Sequence, residues 1–210
     1  MLSVGTAKCV GNRKDTDDVS DKQMLKLPGP YRGLRIGLFG GSFNPAHKGH
    51  MHVAKTALRR MDLDWIWWIV ARGNPLKSSH GVYAERLASA RKIAAHPRMR
   101  VSDIEDQLGL TYTIDTIKVL QKRAIGAEFV WIMGSDAAAS LHKWKNWHEI
   151  RARIPIVVVS RPLTVPGERR PTRLTETSAH LAPMTWLYAP LDPTSSTEIR
   201  HKSTKTARKP

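Results

Sequence analysis

The chain has 210 residues, 41% of them apolar, which suits one domain with a substantial core and argues against a second complete domain. Its single cysteine, Cys9, excludes an intramolecular disulfide and is typical of a reducing compartment. No apolar run approaches the roughly 18 residues of a membrane-spanning helix, and the N-terminal sequence is a poor match to a signal peptide. These features predict a soluble cytoplasmic protein.

The formal net charge of +16 is spread unevenly along the chain. Residues 1–35 hold a net charge of +3 and residues 201–210 hold +4, which leaves +9 for residues 36–200. A basic body suits polyanionic ligands, from nucleotides to nucleic acid, and the charge alone does not choose between them. We expect an irregular N-terminal extension over residues 1–32, a folded domain over residues 33–200, and a basic, disordered C-terminal tail after it.

The first strong pattern is the string GLFGGSFNPAHKGHMH, which begins at Gly37. An apolar strand enters a turn at Gly40 and Gly41, and helix-compatible sequence begins near Ala46. Paired glycines let a backbone approach a ligand closely and adopt positive φ angles, and the amides at a helix start attract anions. The pattern therefore predicts a phosphate-binding loop.

Two histidines stand at the start of this predicted helix. His47 and His50 lie three residues apart, so both rings would project from one helix face towards the loop. There they could hold positive charge or donate hydrogen bonds to an anion. Two other interpretations stay open: the rings could merely cap the helix, or they could bind a metal with His52, although no cysteine or acidic residue stands nearby.

Short apolar runs alternate with helical patterns through the rest of the body. Strands are predicted at residues 36–39, 65–71, 99–101, 129–133, 154–159 and 185–188, and helices at residues 48–61, 85–95 and 113–124. Apolar strands separated by helices predict an α/β fold with a mostly parallel sheet covered by helices on both faces. Ligands of such sheets bind beyond the carboxyl ends of the strands, where the first pattern lies.

Three other strand exits should meet at the same edge of the sheet. They are the loops at residues 72–77, 134–136 and 160–162, and each contains a glycine, a polar group or a cation. Any one of them would be an ordinary connection. Their agreement favours a ligand site at this edge.

A second pattern, the string TSSTEIR, lies near the C-terminal end. Ser195 and Glu198 have the spacing of a capping box, so the segment could simply start a helix. The hydroxyl groups of Ser196 and Thr197 and the guanidinium of Arg200 could also hold a triphosphate.

Together, the two patterns resemble the H-x-G-H and S-S-T-x-I-R signatures of the nucleotidyltransferase superfamily related to class I aminoacyl-tRNA synthetases. The matching positions of the first pattern are Gly40, Gly41, Ser42, Phe43, Asn44, Pro45, His47, Gly49 and His50. The resemblance implies a single Rossmann-like domain that transfers a nucleotidyl group, and it leaves the acceptor open.

The middle of the chain narrows this resemblance to the bacterial nicotinate-nucleotide adenylyltransferases. The similar segments are, in order, residues 74–77, 111–116, 134–136, 141–144 with Trp147, and 161–162. This family resemblance implies adenylyl transfer from ATP to nicotinate mononucleotide, giving nicotinate adenine dinucleotide and pyrophosphate in NAD biosynthesis. Two departures are Leu76, where many relatives have His, and residues 163–166, which separate Arg161-Pro162 from the next glycine.

The resemblance also implies which residues meet ATP. His47 and His50 would stabilise the α-phosphate during attack. The remaining ATP contacts would be Gly40, Gly41, Ser42, Phe43, Lys48, Gly134, Asp136, Ser196, Thr197 and Arg200. Mg²⁺ is expected with ATP and would be held mainly by phosphate oxygens, so no protein metal site is predicted.

The mononucleotide would be bound by a second set of residues. These are Asn74, Lys77, Thr111, Tyr112, Trp144 and Arg161. Backbone amides at Thr111 and Tyr112 would hold the ring carboxylate, and the Trp144 indole would stack on the electron-poor pyridine ring. Trp144 is expected in an exposed polar loop, whereas Trp67 and Trp68 are expected to pack within a strand.

Two alternatives stay open at this point. The enzyme could use another phosphorylated acceptor, such as nicotinamide mononucleotide or phosphopantetheine. A basic nucleic-acid-binding protein is the second alternative, although no recognised binding motif is present and the aromatic residues cluster in a strand. We expect ATP and nicotinate mononucleotide as partners, with neither nucleic acid nor a membrane, and the sequence does not give an oligomeric state.

Overall fold

Seven strands and six α-helices make up the part of the chain that the structure describes. The computed structural model describes residues 26–73, 81–160, 173–178 (backbone only) and 181–189. The strands are β1 (Arg35–Gly41), β2 (Trp65–Val70), β3 (Met99–Ser102), β4 (Glu128–Gly134), β5 (Ile156–Ser160), β6 (Arg173–Ser178) and β7 (Leu181–Tyr188). The helices are α1 (Lys48–Arg60), α2 (Tyr83–Ile93), α3 (Ile104–Gln107), α4 (Thr113–Arg123), α5 (Ser135–Ala139) and α6 (Trp147–Arg153), and a 3₁₀ turn spans Leu141–Lys143.

All seven strands join one sheet in the order β3-β2-β1-β4-β5-β7-β6. Every neighbouring pair is parallel except β6 and β7, which pair antiparallel at one edge. The chain builds outwards from β1 to β3 and then crosses back to place β4 on the other side of β1. Such a reversal opens a crevice at the carboxyl ends of the two strands, where open α/β sheets bind ligands.

A hydrophobic layer covers each face of the sheet. Successive strand residues point to opposite faces, so Phe39 and Trp68 enter one layer while Leu38 and Trp67 enter the other. The first layer also buries the apolar face of α1, and the second buries Ile117 of α4. Helices on both faces of a mostly parallel sheet confirm the predicted fold class.

The predicted strands and the three predicted helices are all present, with ends shifted by a few residues. Four elements were not predicted: α3, α5, α6 and β6. The segment at residues 134–136, predicted as a loop, is instead the junction of β4 and α5. The three missed helices have four to seven residues, too few to show a 3.6-residue apolar period.

The described residues before β1 contain neither helix nor strand. They still pack on the body, because Leu27 and Tyr31 contact the second layer and the amide of Gly33 donates to the carbonyl of Gly126 at 2.8 Å. Residues 1–25 and 190–210 lie outside the described residues, so the predicted limits of the extension and the tail stay predictions. In the described ranges, none of the helices has the length and apolar character needed to cross a bilayer.

Candidate functional site

In the loop between β1 and α1, the chain changes direction at Phe43. This residue has φ = +46°, which is unusual for a bulky side chain, and its ring is 2% exposed. The ring lies edge-on to Phe39 and His50, with centroids 5.4 and 5.1 Å away. The prediction that the paired glycines supply the positive φ angle was wrong, because the left-handed position falls on Phe43. Since the ring is in the core, the predicted contact of Phe43 with ATP would have to come from its backbone.

Gly40 is needed for a different reason, which is close packing. A Cβ atom on Gly40 would lie 2.4 Å from Cζ2 of Trp131 on the neighbouring strand β4. The same Trp131 ring lies nearly perpendicular to Trp144, with centroids 6.3 Å apart. Trp131 therefore connects the phosphate loop to the tryptophan predicted to stack on the pyridine ring.

His47 and His50 cap the first turn of α1. The amide of Gly49 donates to Nδ1 of His47 at 3.1 Å, and the amide of His47 donates to Nδ1 of His50 at 3.2 Å. The helix accordingly begins at Lys48, the first residue of the predicted helix. The capping interpretation is thus correct, but it does not exclude a role with phosphate.

The same capping contacts indicate which tautomer each imidazole adopts when it is neutral. A neutral ring whose Nδ1 accepts a hydrogen bond holds its proton on Nε2, so each ring has Nε2–H as its donor. The two ring centroids are 3.8 Å apart. The first turn of α1 contains no acidic residue to offset the positive end of the helix dipole, and Lys48 is exposed there. This end of α1 is suited to an anion.

Three of the predicted acceptor residues, Thr111, Tyr112 and Trp144, lie in the described part of the chain. Thr111 and Tyr112 are exposed just before α4, which has no side-chain cap. The Tyr112 ring is 38% exposed, and Nζ of Lys145 lies 4.2 Å from its centroid. Trp144, which directly precedes Lys145, packs partly against the second hydrophobic layer. The loop around Trp144 is exposed at Lys143 and Lys145, as expected, whereas Trp144 itself is partly buried by its contact with Trp131.

A buried arginine that was not predicted holds the strand exits in place. Arg86 on α2 is 2% exposed, and its guanidinium donates to four main-chain carbonyls. The acceptors are the carbonyls of Ser42 at 2.8 Å, Ala71 at 2.7 Å, Arg72 at 3.1 Å and Gly81 at 3.1 Å. Burial lowers the pKa of the Arg86 guanidinium, while the charges around it act in the opposite direction. The sequence signal was its spacing from Ala90, one turn later on the buried helix face.

A buried carboxyl group was missed as well. Glu105 on α3 is 4% exposed; it accepts the Thr116 hydroxyl at 2.8 Å and the main-chain amide of Arg72. Burial raises the pKa of Glu105 to about 7, against the opposing effects of these two hydrogen bonds and of the Arg86 charge. No periodicity in the sequence marks this residue, because α3 has only four residues.

The comparisons with known proteins agree with this geometry. Residues 38–202 match the family model described as Cytidylyltransferase-like. The chain is also 46% identical, over 188 residues, to a probable nicotinate-nucleotide adenylyltransferase from Caulobacter sp. (strain K31), an alignment that covers 82% of this chain and all of that relative. The chain belongs to the nicotinate-nucleotide adenylyltransferase family.

A second relative and a solved structure extend this similarity. A probable nicotinate-nucleotide adenylyltransferase from Methylorubrum extorquens (strain PA1) is 44% identical over 184 residues, covering 80% of this chain and 99% of that relative. Plasmodium falciparum nicotinic acid mononucleotide adenylyltransferase, solved in complex with NaAD, superposes with a TM-score of 0.61. That match has 17% identity and covers 80% of this chain and 83% of the other, so it shows the shared fold.

The described residues hold only part of the site expected for this adenylyltransferase family. Gly134 ends β4 and precedes α5, and Asp136 is exposed in the first turn of that helix. Six predicted contacts lie outside the described residues: Asn74, Lys77, Arg161, Ser196, Thr197 and Arg200. The convergence of the two sequence patterns on one polyphosphate therefore stays a prediction.

Proposed function

We propose that the protein transfers the adenylyl group of ATP to the phosphate of nicotinate mononucleotide, giving nicotinate adenine dinucleotide and pyrophosphate. The main supporting observation is the pair His47 and His50, with ring centroids 3.8 Å apart at the start of α1, after the loop that follows β1. The Trp131 ring packs against Gly40, near the end of β1 that leads into the loop before His47, and it also contacts Trp144. The names of the curated relatives support the choice of acceptor.

The reaction requires positioning more than covalent chemistry. The phosphate of the acceptor is already an anion at neutral pH, so it can attack the α-phosphorus of ATP in line while the bond to pyrophosphate breaks. The Nε2–H groups of His47 and His50 would donate to α-phosphate oxygens, whose negative charge grows in the transition state. Lys48 and the amides around Ser42 would add positive potential, and Ser196, Thr197 and Arg200 would hold the β- and γ-phosphates.

The acceptor would occupy the region between α4 and Trp144. Thr111 and Tyr112 directly precede α4, whose start has no side-chain cap. A carboxylate there would be stabilised by N–H donors and the helix dipole. The Trp144 indole, held by its perpendicular contact with Trp131, would stack on the pyridine ring. Asn74, Lys77 and Arg161 complete the proposed contacts with the mononucleotide.

Mg²⁺ would enter with ATP. The ion would be held mainly by the phosphate oxygens of the nucleotide, since Mg²⁺ is usually bound through substrate phosphates and few protein carboxylates. Bound there, Mg²⁺ would neutralise charge on the pyrophosphate leaving group. The protein's own contribution is the set of imidazoles and amides that place the α-phosphate. A cytoplasmic location is also part of the proposal and rests on the single cysteine of the sequence.

A pyrophosphate-release assay tests the proposal. ATP is supplied with nicotinate mononucleotide, nicotinamide mononucleotide or phosphopantetheine, and kcat/KM is measured for each acceptor. We expect nicotinate mononucleotide to be preferred by at least about tenfold, because an amide lacks the charge that the amides of α4 stabilise. Preference for either other acceptor would contradict the proposal. Submicromolar binding of tRNA or duplex DNA in competition with ATP would instead favour a nucleic-acid-binding function.

A further inference from the structure

A chain of buried polar contacts lies beneath the proposed site and joins its two halves. Its first member is Arg86, whose Nη1 donates to the carbonyl of Ser42 at 2.8 Å and to that of Ala71 at 2.7 Å. Ser42 follows β1 and Ala71 follows β2, so one guanidinium fixes the exits of two neighbouring strands. Four of the five N–H donors of this buried guanidinium are used on main-chain acceptors, which gives a rigid contact.

Ser89, three residues further along α2, holds the other end of the phosphate loop. Its hydroxyl accepts the amide of Ala46 at 3.1 Å and donates to the carbonyl of Arg86 at 2.9 Å. Ser42 and Ala46 together bracket the turn that leads into His47. Helix α2 therefore determines where the capped imidazole pair sits.

The peptide groups of Arg72 continue the chain towards the acceptor half. The carbonyl of Arg72 accepts from Nη2 of Arg86 at 3.1 Å, and its amide donates to the carboxyl group of Glu105. Glu105 in turn accepts the hydroxyl of Thr116 at 2.8 Å. Thr116 lies in the first turns of α4, four residues after Tyr112. The contacts thus run without a break from the phosphate loop to the start of α4.

We propose that Arg86 and Glu105 are positioning residues that set the spacing between the phosphate loop and the start of α4, and thereby the alignment of the two substrates. The inference rests on the proposed function only in naming those substrates. In-line transfer needs the attacking oxygen about 3–3.5 Å from the phosphorus, and a misplacement of about 1 Å can cost roughly 100-fold in rate. If these contacts had no role in alignment, substitutions that remove them would change stability but not the kinetic constants.

Single substitutions can break this series of contacts separately on the ATP side and on the acceptor side. Ser89→Ala removes the contact with Ala46 and should weaken ATP affinity and lower kcat by about tenfold, with the KM for the acceptor within about twofold of wild type. Thr116→Val keeps the side-chain shape but removes the hydroxyl donor to Glu105. It should raise the KM for the acceptor by about tenfold and leave ATP affinity unchanged. Arg86→Lys, which loses most of the four carbonyl contacts, should lower kcat by about 100-fold.

Two controls separate alignment from general loss of structure. Thr116→Ser keeps a hydroxyl and should restore the KM for the acceptor. Gln107→Ala removes an exposed contact on the same helix as Glu105, the 2.6 Å bond to Asp103, and should leave all kinetic constants unchanged. Circular dichroism and thermal melting establish folding of each variant. If Arg86→Lys does not fold, the Ser89 and Thr116 variants still decide the question.

The measurement pairs steady-state kinetics with calorimetric titration of ATP. The inference would be overturned if Ser89→Ala and Thr116→Val each changed the constants for ATP and for the acceptor equally. It would also be overturned if these variants had lower melting temperatures but unchanged kinetics. Failure of Thr116→Ser to restore the acceptor constant would do the same. If the proposed function is wrong, the wild type will prefer a different acceptor. The variants are then compared with the wild type using that acceptor. ATP affinity is measured without any acceptor, so it does not depend on the proposed function.

Discussion

At the level of single residues, His50 has a structural role in the helix cap and a proposed chemical role. Its Nδ1 accepts the amide of His47 at 3.2 Å, while its other ring nitrogen is the proposed donor to phosphate. We predict that His50→Asn separates the two, because the asparagine carbonyl can accept the same amide but places no donor at the Nε2 position. The kcat for pyrophosphate release should fall by roughly 10²- to 10³-fold, as for other lost transition-state donors.

The control for this variant is His50→Ala, which loses the cap as well as the donor. It should melt at a lower temperature than His50→Asn, since loss of a helix cap costs about 1 kcal/mol. Turnover by His50→Asn close to that of the wild type would show that the imidazole has no part in stabilising the transition state.

Gly40 gives a second prediction at the residue scale. A methyl group on Gly40 would meet the Trp131 ring at 2.4 and 2.5 Å, so Gly40→Ala should lower the free energy of unfolding by about 1–3 kcal/mol, as overpacking does. Urea denaturation measures this change. Because Trp131 supports Trp144, the KM for the acceptor should rise as well.

Gly73→Ala is the matched control, since a Cβ atom there would have nothing within 4 Å. It should change the free energy of unfolding by less than about 1 kcal/mol. A Gly40→Ala protein as stable as this control would contradict the packing role of Trp131.

At the scale of elements, the short helix α3 presses one carboxyl group against α4. Glu105 is surrounded by the Thr116 hydroxyl from α4, by Arg86 and Tyr83 from α2, and by the amide of Arg72. Its pKa, raised by burial from the ordinary 4.5 to about 7, means that the folded state favours the protonated form. Between these two values the folded chain therefore binds more protons than the unfolded chain, and stability falls as pH rises.

We predict the size of this effect from Glu105→Gln, which stays neutral at every pH. The free energy of unfolding of the wild type, relative to the variant, should fall by about 3 kcal/mol as pH rises from about 4.5 to 7 and then level off. Urea denaturation of both proteins over this range measures the difference. A difference that stays constant, or that grows with pH, would show that the carboxyl group titrates normally in the folded protein.

The elements that could be predicted from the sequence have a pattern of their own. β2 is a continuous apolar run because both of its faces are covered, and α4 repeats Ile114, Ile117 and Leu120 along its buried face. β6 (Arg173–Ser178) has no such run, and its pairing is set by β7, its antiparallel neighbour at the sheet edge. Its existence depends on a partner rather than on its own residues.

The site divides in the same way. The imidazole pair and the glycines could be predicted because they lie in one contiguous string of eleven residues, from Gly40 to His50. Arg86 was not found, because its acceptor at Ser42 is 44 residues away and is a main-chain carbonyl. The turn at Phe43 was assigned to glycines for a similar reason: only the folded core shows that a buried ring holds that backbone in place.

For the molecule as a whole, the net charge of +16 should act on ligand binding at a distance. We predict that KM for ATP and for the acceptor rises several-fold between about 20 and 200 mM salt, because screening shortens the range of the field. Steady-state kinetics at constant free Mg²⁺ measures this. Salt-independent constants would indicate that only direct contacts attract the substrates.

The hydrogen bonds of Arg86 also affect which loop substitutions the protein can accept. All four of its hydrogen-bond acceptors are main-chain oxygens, so these bonds do not depend on the side chains of the surrounding loops. Mutations in those loops can alter what the pocket recognises while the backbone keeps its course. An engineer could therefore randomise the side chains around Ala71 and Arg72 to search for new acceptor preferences, with α2 left intact as the anchor.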